Sequence, residues 1–215
     1  MEKVRITIVE DDPTWLDLMT DFLNRENDFT VVGTALNKDE AIQMVKLTSG
    51  IDIILMDINL SENKYDGISA ALEIFDTWKI KIIMLTSLSG DDLITNSFSA
   101  GAVNYVSKEN YRDIPNAIRS ALHETSPIEV LLNDYRQMKE NTMLSILSPS
   151  EKELYMLAKE GHSRIKIQQM LFKSENTIKS QVSSILKKFN SSSLNEVIKK
   201  IRNRGIYESK YFDDE

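Results

Sequence analysis

Residues 1–122 alternate short runs of apolar, often β-branched residues with longer stretches whose apolar residues recur at helical spacing. The short runs predict five strands, at residues 4–9, 29–35, 51–56, 80–85 and 102–106. The longer stretches predict a helix after each strand. Because strands joined by helices run parallel and are buried on both faces, we expect an α/β fold of five βα units. Its open, doubly wound sheet would carry helices on both sides.

From residue 147 onward the pattern is helical throughout, and the ends of the helices are marked. Capping boxes at residues 148–151 and 193–196 are predicted to begin the first and last helices, which Gly161 and Gly205 would end. Two further helices are predicted at 164–171 and at 175–189, the latter capped by Ser174. Four helices in so short a segment predict a small all-α domain.

Residues 123–146 mix polar and apolar positions without a clear period, which is typical of a linker that is partly helical. We therefore expect an α/β domain at 1–122, a linker at 123–146, a helical domain at 147–206 and an acidic tail at 207–215. The total of 215 residues suits two domains, and 41% hydrophobic with 27% charged residues is typical of a folded chain.

The net charge of −7 conceals two regions of opposite sign. Residues 1–146 hold 13 basic and 24 acidic residues, a net −11, whereas residues 147–205 hold 12 and 5, a net +7. An acidic module is thus joined to a basic one, and the basic module is a candidate for binding nucleic acid.

Several classes of function are excluded or weakened by composition. The chain has no cysteine, which excludes disulfides, thiolate metal sites and cysteine nucleophiles, and only two histidines, His123 and His162. No window approaches the ~18 to 20 apolar residues of a membrane span, and residues 1–12 lack a basic-then-apolar signal segment. We expect a cytoplasmic protein without membrane association.

The residues that follow the strands carry the candidate chemistry, because ligands of open α/β sheets gather at the carboxyl ends of the strands. These residues are Glu10, Asp11, Asp57, Thr86 and Lys108. Carboxylates and a hydroxyl facing one ammonium favour a bound Mg²⁺. Asp57 could then attack phosphorus as a nucleophile, with Mg²⁺ and Lys108 offsetting charge on the transferring group. Each residue alone is as well explained by a helix cap or a solvated side chain, as Asp12 before Pro13 is.

The joint pattern resembles the receiver domain of two-component response regulators over nearly all of residues 3–122. The resemblance lies in the segments IVEDDP, IILMDINL, IIMLTS and GAVNYVSK and in Asp66-Gly67, which matches the loop before the third helix. It implies a flavodoxin-like fold in which Asp57 is the phosphoacceptor, Thr86 and Tyr105 form the switch, and Lys108 contacts the phosphoryl group. It also implies Mg²⁺ bound by Glu10, Asp11, Asp57 and the backbone carbonyl of Asn59. One departure is Glu109, where proline is common.

The same resemblance implies a phosphoryl donor and a mode of switching. The donor would be a phosphohistidine on a sensor histidine kinase, and this domain would catalyse only its own phosphorylation and dephosphorylation. Thr86 would bond the phosphoryl oxygens and vacate space into which Tyr105 turns. That movement would alter the face built by the fourth helix, the fifth strand and the fifth helix.

The helical module resembles the LuxR-type DNA-binding domain of the NarL/FixJ class over residues 147–206. The resemblance lies in LSPSEKELYMLAKEGHSRIKI and SENTIKSQVSSILKKF, the second of which predicts a helix with one apolar face and a polar face free of carboxylates. It implies a helix-turn-helix that reads double-stranded DNA. The implied base contacts are Lys179, Ser180 and Ser183, and the implied backbone contacts are Thr177, Gln181 and Lys187. Gln168 and Lys173 depart from the family's usual small and apolar residues.

We interpret the chain as a phosphorylation-dependent transcriptional regulator that forms a homodimer on phosphorylation, with the last helix as the family's usual dimerisation helix. Two alternatives remain open at this point. The helical domain could bind protein instead of DNA, or the chain could transfer phosphoryl groups between small molecules.

Overall fold

The computed structural model describes residues 2–60, 65–87, 90–122 and 127–203. The chain divides into two compact units, residues 1–134 and 135–215. Gly205, the end of the predicted helical domain at 206 and the acidic tail at 207–215 lie outside the described residues, as do positions 123–126 of the predicted linker. The predicted domain boundaries themselves stay predictions.

The first unit is a doubly wound α/β domain, as the alternating pattern predicts. Its strands are β1 (Val4–Val9), β2 (Phe29–Ala35), β3 (Ile53–Asp57), β4 (Lys81–Thr86) and β5 (Asn104–Ser107). Its helices are α1 (Pro13–Asn24), α2 (Lys38–Leu47), α3 (Asp66–Trp78), α4 (Asp91–Ser99) and α5 (Ile114–Leu122), with a short 3₁₀ helix (Lys108–Asp113) before α5. All paired strands are parallel, in the order β2-β1-β3-β4-β5. This is the strand order of flavodoxin-like folds, so the predicted fold class is confirmed.

The sheet register brings the candidate residues to one edge. Val9 pairs with Met56, Met56 with Met84, and Met84 with Tyr105, all within a fully or largely buried sheet. Within three residues after this row each of these strands ends, and the chain leaves the sheet at its carboxyl edge. The candidate residues Glu10, Asp57, Thr86 and Lys108, which lie 22 to 98 positions apart in sequence, therefore end at one edge of the sheet.

Residues 127–144, which the sequence pattern assigns to a partly helical linker, form one 18-residue helix, α6 (Pro127–Leu144). Its first turns belong to the first unit, where Glu129 lies 3.1 Å from the ammonium of Lys81. Lys81 also donates a hydrogen bond to the carbonyl of Ala121 at 2.6 Å. The predicted limits of the linker, residues 123 and 146, therefore do not coincide with the ends of this helix.

The second unit contains the four predicted helices, α7 (Pro149–Lys159), α8 (Arg164–Leu171), α9 (Glu175–Lys188) and α10 (Leu194–Arg202). The first predicted capping box is confirmed: the Ser148 hydroxyl accepts from the Glu151 N–H, and the Glu151 carboxylate accepts from the Ser148 N–H. The second box is wrong in one half. Ser193 accepts from the Glu196 N–H, but the Glu196 carboxylate accepts from the N–H of Ser192, one residue further upstream.

A buried carboxylate joins α7 to α9. Glu151 is 5% exposed, and its oxygens accept from the Ser184 hydroxyl and from the ammonium of Lys188, both at 2.6 Å. Burial opposes the charged form, but the bonds from Lys188, Ser184 and Ser148 prevail and lower the pKa of Glu151 to about 2. The carboxylate therefore stays ionised inside the helix packing.

None of the helices in the described part of the chain combines the length and the apolar character that a bilayer crossing needs.

Candidate functional site

Three carboxylates meet at the carboxyl edge of the sheet. Glu10 follows β1, Asp11 follows Glu10, and Asp57 is the last residue of β3. Oxygen atoms of all three lie within 4.8 Å of one another. Glu10 is 1% and Asp57 6% exposed, whereas Asp11 is exposed to solvent. A site with two buried carboxylates and one open to water suits a divalent cation that keeps part of its hydration shell.

Lys108 bridges the two buried carboxylates. Its Nζ lies 2.6 Å from Glu10 Oε2 and 2.9 Å from Asp57 Oδ2. Burial disfavours the charged ammonium, but the bonds to the two carboxylates outweigh it and raise the pKa of Lys108 above its ordinary value. The ammonium is therefore held at the position where the candidate chemistry needs positive charge.

The two buried carboxylates are short of positive charge. Burial raises the pKa of Glu10 to about 7, against the opposing effect of the Lys108 bond, and also raises the pKa of Asp57. Among the residues that the structure describes, Lys108 is paired with both buried carboxylates, and the carboxylate of Asp11 lies beside them. The donor set of carboxylate oxygens fits Mg²⁺, a hard cation that prefers oxygen ligands.

The carboxylate of Asp57 is fixed in direction. Its Oδ1 accepts from the Ile58 N–H at 2.7 Å, and its Oδ2 accepts from Lys108. The backbone N–H of Asn59 also lowers the pKa of Asp57, against the effect of burial. The Asn59 side-chain oxygen accepts from the Tyr65 N–H at 3.2 Å. The assignment of the Asn59 backbone carbonyl to a metal stays a prediction.

Gly67 is a residue of this site that the sequence pattern underestimates. The pattern places Asp66-Gly67 in the loop before the third helix, but the pair forms the first turn of α3. The Gly67 N–H donates to the carbonyl of Ile58 at 2.9 Å, and a Cβ at position 67 would lie 1.7 Å from the carbonyl oxygen of Asp57. Only glycine lets α3 start this close to the candidate acceptor. The signal available in the sequence is a glycine at a predicted helix start.

Trp15 is a second such residue. The pattern assigns it only to the apolar stripe of α1, yet its ring centroid lies 4.8 Å from the Nζ of Lys108. Asp12 caps the helix as predicted, because its Oδ1 accepts from the N–H groups of Thr14 and Trp15. No sequence signal distinguishes Trp15 from its apolar neighbours.

The two predicted switch residues are in contact. Thr86 ends β4 and is 1% exposed, and Tyr105 lies half-buried in β5. Burial raises the pKa of Tyr105, against the smaller effect of its hydrogen bond with Thr86. A movement of Thr86 would therefore break a bond that Tyr105 now makes.

The polar face of α9 is exposed as the helix-turn-helix prediction requires, except at Gln181. The exposed candidate contacts are Thr177, Lys179, Ser180, Ser183 and Lys187. Gln181 is half-buried and donates to the Ser150 hydroxyl at 2.7 Å. Lys179 pairs with Glu175 at 2.7 Å, so the expectation that this face carries no carboxylate is wrong in its first turn.

The two residues that depart from the helix-turn-helix pattern lie in and after α8. Lys173 directs its ammonium to the hydroxyl of Ser150 and lies 3.8 Å from Glu153. Lys173 thus makes polar contacts, where the resemblance implies an apolar residue. Gln168 is half-buried within α8. Phe172, which caps α8 in the left-handed conformation with φ of 52°, is 96% exposed.

A flavodoxin-like sheet with a lysine-bridged acidic pocket at its carboxyl edge defines a receiver-type module. The family model of the response regulator receiver domain matches residues 6–119, which is more than half of the chain. The chain therefore belongs to the response regulator receiver family.

Its relatives are similar over most of their length. The response regulator protein VraR of Staphylococcus aureus is 30% identical over 190 residues, which span 86% of this chain and 90% of VraR. The uncharacterized transcriptional regulatory protein YxjL of Bacillus subtilis is 27% identical, over 88% of this chain and 90% of YxjL.

Among solved structures, a LuxR-family two-component response regulator from Aurantimonas is 26% identical with a TM-score of 0.53. The match covers 63% of this chain and 99% of that one. RcsB of Salmonella typhimurium is 22% identical with a TM-score of 0.53, over 94% of this chain and 99% of that one. This similarity concerns the fold only.

Proposed function

We propose that this protein is a phosphorylation-dependent, DNA-binding transcriptional regulator of a two-component system. Asp57 receives a phosphoryl group from the phosphohistidine of a sensor histidine kinase, and the modification controls binding of double-stranded DNA by the helical unit. The observation that carries the proposal is the bridge of Lys108 between Glu10 and Asp57. The protein catalyses only its own phosphorylation and dephosphorylation.

The transfer is a displacement at phosphorus. An oxygen of the ionised Asp57 carboxylate forms a bond to phosphorus while the bond from phosphorus to the donor's imidazole nitrogen breaks, and the imidazole keeps the electron pair and takes up a proton. Lys108 donates hydrogen bonds to the phosphoryl oxygens in place of at least one of its two present carboxylate partners. Mg²⁺, held by Glu10, Asp11, Asp57 and the backbone carbonyl of Asn59, would neutralise charge on the transferring group.

Phosphorylation acts on the pair of Thr86 and Tyr105. The new phosphoryl oxygens are strong acceptors, and the hydroxyl of Thr86 is placed at the same edge of the sheet. When Thr86 bonds them, it gives up its bond with Tyr105, which is free to reorient on β5. The surface around β5 then changes and favours a homodimer, which suits a helix-turn-helix that reads a two-fold site.

The DNA-reading surface is the exposed polar face of α9. Lys179, Ser180 and Ser183 contact base edges, while Thr177 and Lys187 contact the backbone. The net charge of +7 over residues 147–205 and the similarity to proteins named as transcriptional regulators support this assignment. Gln181 contacts the backbone only if it exchanges its bond to Ser150 for one to a phosphate.

A second candidate output is the binding of protein instead of DNA. The observation that favours it is exposed apolar surface on the helix-turn-helix, where Phe172 is 96% and Ile165 70% exposed. Isolated exposed apolar residues are common on monomers, so this candidate ranks below DNA binding. For a cell compartment, we infer the cytoplasm, where a regulator of transcription meets both its kinase and DNA.

The test labels the purified protein with acetyl phosphate and Mg²⁺ and measures intact mass. The parent should gain one phosphoryl group and the Asp57→Asn variant none. Labelled protein should then bind a duplex selected from genomic DNA more tightly than unlabelled protein, with an affinity that falls steeply with salt. Labelling of Asp57→Asn equal to the parent would refute the acceptor. Salt-independent or undetectable DNA binding would favour the protein-binding output.

A further inference from the structure

The aromatic ring of Trp15 is the least expected feature of the acidic pocket. Trp15 lies in α1, and the sequence pattern assigns it to core packing. The Nζ of Lys108 lies 4.8 Å from the ring centroid, a distance at which a cation is attracted by the electron-rich face. Lys108 is only 14% exposed, so water does not fully screen that attraction.

We propose that Trp15 is a positioning residue for phosphoryl transfer: its ring holds the Lys108 ammonium in the pocket while the hydrogen bonds of that ammonium move from carboxylate to phosphoryl oxygens. The inference rests on the proposed phosphorylation of Asp57. It adds a residue outside the acidic cluster to the machinery of the site.

The need for such a residue follows from the contacts of Lys108. Its ammonium is engaged by Glu10 at 2.6 Å and by Asp57 at 2.9 Å. During transfer it has to release at least one of these bonds to reach a phosphoryl oxygen. Attraction to a ring face does not depend on the direction of any one N–H bond. The ring can therefore retain the ammonium while its hydrogen-bond partners change, which a carboxylate cannot do.

The ring is placed by the start of α1. The carboxylate of Asp12 accepts from the N–H of Trp15 at 3.3 Å, and Pro13 begins the helix. Trp15 also packs beside the buried core of the first unit. The competing explanation is that Trp15 only fills space there, so the test has to vary the electronic character of the ring without changing its size.

Fluorinated tryptophans vary the electronic character of the ring at nearly constant size. Each added fluorine withdraws electron density from the ring face and changes its volume little. The chain has two tryptophans, so the series is made in a Trp78→Phe background in which Trp15 alone is replaced. We expect the rate of labelling by acetyl phosphate to fall stepwise with the number of fluorines. A rate that is the same across the series overturns the proposal.

Substitutions set the scale of the effect. Trp15→Leu should slow labelling by roughly 3- to 10-fold, the range given by loss of one partly buried cation–π contact. Trp15→Phe keeps a ring and should recover part of that loss, whereas Trp15→Met, which is apolar without a ring, should not. Equal rates for Phe and Met at this position would indicate a packing role and overturn the proposal.

Two readouts do not depend on phosphorylation. In the Trp78→Phe background, Lys108→Met should shift the fluorescence emission of Trp15, and an unchanged spectrum would exclude the contact. In urea unfolding, Trp15→Leu should cost more stability in the parent than in Lys108→Met, and equal costs would again indicate packing alone.

Failure of the two proposals can be told apart. If the parent is not labelled at Asp57, the proposed function is overturned and the role of Trp15 with it. If the parent is labelled at Asp57 while the fluorinated series is flat, only the role of Trp15 is overturned.

Discussion

Replacing Gly67 with alanine tests the close packing of α3 against the candidate acceptor. The added Cβ would lie 1.7 Å from the carbonyl oxygen of Asp57, whereas separations below 3.0 Å are essentially never seen. Either α3 or the end of β3 must therefore move by more than an ångström. Both neighbouring groups are backbone atoms in buried structure, so neither can yield by changing a rotamer. Overpacking of this kind costs about 1–3 kcal/mol, and the displaced backbone should also misplace the Asp57 carboxylate.

The assay compares urea unfolding and acetyl phosphate labelling of Gly67→Ala with those of Gly90→Ala. A Cβ added at Gly90, which caps α4, would meet open space, with no other heavy atom within 4 Å. We expect the control to lose less than about 1 kcal/mol, the scale of a cap effect, and to be labelled at the parent rate. Parent-like stability together with parent-like labelling for Gly67→Ala would refute the reasoning.

Five further predictions concern other residues and the oligomeric state. Asp12→Ala should lose about 1 kcal/mol of unfolding free energy but keep its labelling, because Asp12 caps α1; loss of labelling with stability intact would place it at the metal. Lys179→Ala should weaken binding to a selected duplex by about 1–3 kcal/mol and relax preference at one base pair. Lys187→Ala should weaken binding to all DNA sequences alike and lower the slope of log affinity against log salt concentration by about 1. Parent-like binding by both lysine variants would refute the assignment of α9 as the recognition helix. The pKa of Glu151 is about 2, below its ordinary 4.5, so its ionised form stabilises the fold above pH 4.5 and this contribution is lost as pH falls towards 2. In urea unfolding, the free energy of unfolding of Glu151→Gln should therefore lie below that of the parent above pH 4.5, and this difference should shrink as pH falls from 4.5 towards 2. A difference that does not change with pH would contradict the linkage. Sedimentation should show a dimer when Asp57 is phosphorylated, and a monomer at saturation would contradict dimerisation.

The sequence by itself determined the fold class and the charged residues of the acidic pocket. Apolar runs separated by helical periods can be buried only as parallel strands covered on both faces, and parallel strands end at one edge of a sheet. Glu10, Asp57 and Lys108 could therefore be grouped although β1, β3 and β5 are far apart in the chain. The cap residues Asp12 and Ser148 were equally readable, because capping is local chemistry within three or four residues.

Only the tertiary structure decided which atoms approach one another across elements. Periodicity assigns Trp15 to a buried face but not to the neighbourhood of Lys108, and it shows a glycine at 67 without the Asp57 carbonyl against it. The same limit applies to Gln181, which the family resemblance assigns to a contact with the DNA backbone, although it is half-buried and bonds Ser150. Such contacts depend on sub-ångström placement of segments that are distant in sequence. A one-dimensional pattern records which face a residue occupies, whereas the partner it meets on that face is set by the packing of the whole unit.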